Sequence, residues 1–148
     1  MLFDPRAHER LIEDQWNRDH VRSAIREIAN DAEESFDDGW SIHPQDFVEG
    51  NEQRRFRTVY AGGAGVVQAL ESLQRRGLVE LRREYVSYLE RSYEPDFPDD
   101  AHERSLWMGE TGIRLVLHRL SPSKENADRL AELISGNAAD ERREVMWG

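Results

Sequence analysis

Side chains able to do chemistry are few in kind. The 148-residue chain contains no Cys, so it has no disulfide, no thiolate nucleophile and no thiolate-bound metal of its own. His8, His20 and His43 are scattered. His102 stands beside Asp99, Asp100 and Glu103, which are metal-ligand types, but their spacing matches no closed site, and Glu94 to Glu103 reads as a solvated acidic loop. His118 falls among Val116, Leu117 and Leu120 and reads as a partly buried, hydrogen-bonded helix histidine. Arg54, Arg55 and Arg57 could meet a carboxylate, yet a short basic run of this kind reads as a solvated face. There is no H-E-x-x-H, no P-loop and no G-x-S-x-G.

The most informative pattern is made of glycines. Thr58-Val-Tyr-Ala-Gly62-Gly-Ala-Gly65-Val66 and Ser105-Leu-Trp-Met-Gly109-Glu-Thr-Gly112-Ile113 share a polar residue, three mostly apolar ones, G-x-x-G and a β-branched residue. Glu144-Val-Met-Trp-Gly148 begins the pattern a third time. The first glycines lie 47 and 39 residues apart (109 − 62 and 148 − 109), room for two helices and two loops per unit, as in arrays of helix pairs. Residues without Cβ at i and i+3 of a helix start admit close backbone approach and leave N–H groups and the positive dipole end uncovered, where an anion or reaction centre could sit. The plainer reading is that these glycines only permit tight helix packing.

The elements that position these motifs are helical. Val21, Ala24, Ile25, Ile28, Ala29 and Ala32 form one helical stripe, with Asn17 or Asp19 as N-cap and a stop near Asp37-Asp38-Gly39. Residues 39–57 read as a loop. Further helices are expected over about 58–76, ending at Gly77, over 79–93 before Pro95 and Pro98, and over 106–120. A fifth starts at Ser121-Pro122 and runs through Ile134 to Gly136. Nothing alternates at period two, so the expected fold is all-α, a single domain over 1–148.

Composition narrows the partners. Net charge is −10 at pH 7, which disfavours nucleic acid and anionic membrane faces. Hydrophobic content of 38% with 34% charged residues implies a lean core. The start Met1-Leu2-Phe3-Asp4-Pro5-Arg6 lacks the apolar run of a signal peptide and no stretch is long and apolar enough for a span, so a cytoplasmic location is expected.

The opening Leu2-Phe3-Asp4-Pro5-Arg6-Ala7-His8-Glu9, Val59 to Leu70, Ser105 to Ile113 and Glu144 to Gly148 together resemble the lanthionine synthetase C-like family, closest to its bacterial stand-alone members. The resemblance covers most of the chain. It implies an α/α toroid with glycine-rich motifs at the starts of the inner helices, of which this chain would supply the N-terminal portion, about two and a half repeat units. The implied chemistry is zinc-dependent addition of a thiol to a dehydrated Ser or Thr. In the family the zinc is held by two Cys and one His of the C-terminal half, so zinc is expected in the full-length member and no cofactor in this chain. Glu144 matches a motif position where characterised cyclases carry Asp and many stand-alone relatives Glu; it is the one catalytic residue carried over, with a helix-end acid as its plainer role.

The implied substrate is a peptide or small thiol, and the chain alone would lack cyclase activity. Open toroid faces would expose apolar surface and favour self-association. Two other classes stay open. One is an α/α-barrel glycosidase using paired carboxylates such as Glu110 and Glu144, which requires oxygens ~5–9.5 Å apart across a cleft. The other is a non-catalytic helical scaffold that binds a peptide or partner chain.

Overall fold

The computed structural model describes residues 15–43, 54–96 and 103–139. Those residues form five helices and no strand, α1 Arg18–Glu34, α2 Gly63–Arg75, α3 Val86–Leu89, α4 Glu110–Leu120 and α5 Lys124–Ala138. The chain is therefore all-α over these segments. Helix α1 starts where local chemistry places it: Asn17 is the N-cap, and its Oδ1 accepts from the N–H groups of Asp19 and His20 at 2.9 and 3.0 Å, satisfying two first-turn donors. Its apolar stripe is only partly used. Ala29 is buried, whereas Val21 and Ile28 stay exposed.

Helix α2 is shorter than its apolar pattern suggests, because residues 58–62 form turns and the helix begins at Gly63. Helix α4 likewise begins at Glu110 and not near Leu106. In α5 the N-cap is Ser123, two residues beyond Ser121, with its Oγ accepting from Asn126 N–H at 3.2 Å. Gly136 lies inside α5 and does not end it.

The helix expected over 79–93 is reduced to Val86–Leu89. The cause is long-range. The buried Glu33 carboxylate of α1 accepts the Arg82 N–H at 3.0 and 3.1 Å, and Gln74 Oε1 accepts that of Leu81 at 2.8 Å. Amides held by distant side chains cannot close i→i−4 bonds, so residues 78–85 stay non-helical. Side chains from this stretch still reach the core.

That core joins Ala29 of α1, Ala64, Val67 and Leu70 of α2, Tyr85, Tyr88 and Leu89, and Ile113, Val116 and Leu117 of α4. Phe36, Trp40, Tyr85 and Tyr88 meet mostly edge-on, with centroids 4.8–5.9 Å apart, a geometry that adds to their area burial. Asn126 of α5 donates through Nδ2 to the Arg114 carbonyl at 3.0 Å, locking α5 onto α4.

Tyr85 couples this core to pH. Burial first, then the charge of Glu33 and the hydrogen bond to it, push the Tyr85 phenol up to about 12. A raised value favours the neutral phenol in the fold, so its contribution is whole below the ordinary tyrosine value of ~10 and is lost as pH rises towards about 12. Helicity followed by circular dichroism should hold to pH ~10 and fall above it, together with a late rise in tyrosinate absorbance. Tyr85→Phe should move that alkaline midpoint upward; an unmoved midpoint would show that Tyr85 does not govern it.

Candidate functional site

The two G-x-x-G motifs form the same structure. Gly62 caps α2 with φ −139°, ψ −168°, and Gly109 caps α4 with φ −129°, ψ −172°. In each, the first helical N–H reaches back seven residues: Gly63 donates to the Phe56 carbonyl at 2.9 Å and Glu110 to the Glu103 carbonyl at 2.7 Å. At the next position the Ala64 N–H donates to the Arg57 carbonyl at 3.1 Å, while in the second motif the Thr111 hydroxyl donates to the Arg104 carbonyl at 2.8 Å. The polar residue four before each capping glycine, Thr58 or Ser105, is fully buried. Ser105 Oγ accepts from the N–H groups of Trp107 and Met108 at 3.2 and 3.0 Å.

The second glycine of each motif is needed for contact. A Cβ on Gly65 would strike the Val59 carbonyl oxygen, and one on Gly112 would strike the Leu106 carbonyl oxygen, the equivalent atom of its own loop. Gly112 also receives Val59 from the first motif: a Cβ there would lie 2.7 Å from Val59 Cγ2. Tyr60 N–H donates to the Trp107 carbonyl at 3.0 Å, joining the loops at matching positions. Further along, Gln68, Glu71 and Arg75 of α2 face Val116, Arg119 and Leu120 of α4 across a narrow cleft. The two helices thus start side by side at one end and run in the same sense.

A groove of about 780 Å³ opens at this end, lined by Trp40, Ile42, His43, Phe56, Val59, Tyr60, Gly65, Val66, Ala69 and Met108 among others. Among the described residues that line it, none is Asp, Glu, Lys or Arg, in a chain of which 34% is charged. It suits an apolar occupant. It does not suit an anion at the start of α2: the Gly63, Ala64 and Gly65 amides already donate to loop carbonyls, so the uncovered N–H groups expected from the glycine pattern are taken.

Several polar residues have structural work where sequence reasoning put solvent. Asp96, in the supposed solvated acidic loop, is buried and accepts from Arg57 N–H at 2.8 and 3.0 Å and from Thr58 N–H at 2.8 Å, anchoring the entry to the first motif. The Arg57 guanidinium donates to the carbonyls of Tyr88, Leu89, Arg91 and Ser92 at 2.7–3.3 Å, and burial lowers its pKa from the ordinary arginine value. Arg57 is therefore a clamp on the end of α3, whereas Arg54 and Arg55 are exposed, as a solvated face requires, with Arg54 donating to the Pro95 carbonyl and Arg55 to Asp37. His118 is half-buried, and its Nδ1 has no hydrogen-bond partner among the described residues. Met108 is buried as a core residue, but Trp107 is 39% exposed.

Of the candidate carboxylates, Glu144 lies outside the described residues, as do His8, Asp99, Asp100, His102, Met146 and Trp147. Glu110 is 3% exposed and does not line the groove. Arg114 Nε donates to its Oε1 at 2.7 Å, and Arg129 holds its Oε2. Burial pushes the Glu110 carboxyl up, but the hydrogen bonds from Arg129 and Arg114 outweigh it and hold the group below the ordinary glutamate value. A carboxylate so paired is an ion of the structure and a poor proton donor, which does not suit Glu110 to the general-acid role in a carboxylate pair. Sequence offered no signal for Arg129 as its partner, nor for Trp40 to His43 in the groove wall.

Among the described residues no helix is long and apolar enough to cross a membrane. Comparison with protein-family models, curated proteins and solved structures gave no match.

Proposed function

We propose that the chain is the N-terminal part of a lanthionine synthetase C-like α/α toroid, and that the longer protein adds a thiol to a dehydrated Ser or Thr residue in the cytoplasm. The support is one observation. Two G-x-x-G helix starts share backbone angles, cap bonds and glycine contacts, and stand side by side at one end of the fold, as the inner helices of a toroid of helix pairs would. Glu144, at the third copy of the motif, is the residue proposed to handle a proton.

The residues in hand do not fit the family's zinc. The chain contains no Cys, and among the described residues no three His, Asp or Glu side chains come together to hold a metal ion. The test compares the 148-residue chain with a longer protein that carries it, measuring glutathione addition to a dehydroalanine peptide by mass spectrometry and metal content by elemental analysis. Adduct and stoichiometric zinc are expected in the longer protein and neither in the chain. Glu144→Gln in the longer protein should slow adduct formation with zinc content and helicity unchanged. A longer protein that forms no adduct and holds no zinc would overturn the reading. The apolar groove favours a second reading, a helical scaffold that binds a partner without chemistry; partner binding by a protein that forms no adduct would select it.

A further inference from the structure

Helices α2 and α4 are equivalent, yet only one of them has its flank covered. Gly112, Ile113 and Val116 of α4 are buried where α2 and the first motif lie against them. The matching residues of α2 face the groove: Gly65 and Val66 are half-buried and Ala69 is exposed. The opposite flank of α4 is also open. Gln68 of α2 faces α4 across their cleft, whereas its counterpart on α4, Leu115, is 40% exposed. Among the described residues, the second copy of the repeat therefore has a covered receiving face and an exposed donating residue, Leu115, while the first copy has an exposed receiving face and a covered donating one.

We propose that the groove on α2 receives the α4 flank of a second copy of this chain, head to tail, repeating between molecules the α2–α4 contact within one. Leu106 would stand to Gly65 as Val59 stands to Gly112, and Leu115 would cover Ala69. The surfaces match in chemistry: Leu115 is an exposed apolar residue, and Trp40, Ile42 and Phe56 extend a groove wall that is uncharged among the described residues. Because donor and receiver are different faces, the growing assembly always keeps one of each free at its two ends, so assembly continues past a dimer until a ring closes or growth stops. Each copy carries a net charge of −10, so salt that screens this repulsion strengthens the assembly. The docking rests on the same duplicated helix start as the toroid reading but needs no thiol chemistry, so a longer protein that forms no adduct would leave it standing, and a monomeric chain would leave the thiol chemistry standing.

Sedimentation of the intact chain over a range of concentration and salt tests it, with circular dichroism to confirm that each variant keeps its helices. Ala69→Arg blocks the receiver and Leu115→Arg the donor; both positions are exposed, so neither charge enters the core. The wild-type chain is expected to exceed dimer mass with rising concentration, more so in salt. Each variant alone should be monomeric, and the two mixed should form a one-to-one heterodimer, since each keeps one competent face. A wild-type chain that stays monomeric, an assembly that stops at a symmetric dimer, or a mixture that does not pair would overturn the proposal.

Discussion

Gly112→Ala should destabilise the protein by about 2–3 kcal/mol, lowering its melting temperature by roughly 10 °C. Gly65→Ala should act alike. On propensity alone the sign would be opposite, since Ala in a helix interior is better than Gly by about 1 kcal/mol. Packing decides against propensity. The added Cβ would meet the carbonyl oxygen of Leu106, or of Val59 for Gly65, and a carbonyl fixed in a hydrogen-bonded loop cannot step aside as a side-chain tip can. At Gly112 the methyl would also press on Val59 Cγ2, 2.7 Å away, so the two motifs would have to separate. Gly136→Ala is the control of opposite sign: the nearest atoms to its Cβ would be those of the Arg104 side chain, with Nε at 2.7 Å, and a flexible arginine can swing away. That variant should be neutral or up to about 1 kcal/mol more stable. Thermal denaturation of the three variants measures the contrast, and a Gly112→Ala protein as stable as the wild type would mean that the close approach is not needed.

This contrast separates what a sequence displays from what it hides. Asn17 as a cap and the glycine pairs at 62–65 and 109–112 were legible because each acts on backbone within a few residues. The fate of residues 79–93 was not. Leu81, Tyr85, Tyr88 and Leu89 have helical spacing, but the acceptor that takes the Arg82 amide is Glu33, 49 positions away, and no local pattern announces such a partner. Asp96 and Arg57 were misjudged for the same reason: their type suggests solvent, and their burial follows from backbone groups brought to them by the fold. The groove combines residues 40–43 with 56–69 and Met108, so it exists only after packing. The repeat was visible, whereas the fact that one copy is covered and the other open depends on which neighbour each helix meets.

Arg129→Met should cost about 3–5 kcal/mol at neutral pH, more than an exposed ion pair could account for. Arg129 sits between three carboxylates, donating to Glu103 at 3.0 Å, to Glu132 at 3.1 Å and through Nε to Glu110 at 3.1 Å. The hydrogen bond to Glu110 raises the arginine above its ordinary pKa. The two exposed-side partners lose little, but Glu110, 3% exposed, would keep a buried charge with Arg114 as its remaining partner. The pH dependence follows from the sign. The depressed Glu110 value means that its stabilisation is present above the ordinary glutamate value of ~4.3 and is lost as pH falls through the lowered folded value. In Arg129→Met that carboxylate protonates more readily, so the gap between variant and wild type should narrow in acid. Glu110→Gln added to Arg129→Met should recover part of the loss at neutral pH, because it removes a buried charge left with one arginine in place of two and keeps the shape. A cost under about 1 kcal/mol, with no rescue by Glu110→Gln, would place Glu110 among exposed ions. The predicted rescue would instead confirm a carboxylate whose burial is tolerated because two arginines hold it, a condition incompatible with giving up a proton to a substrate.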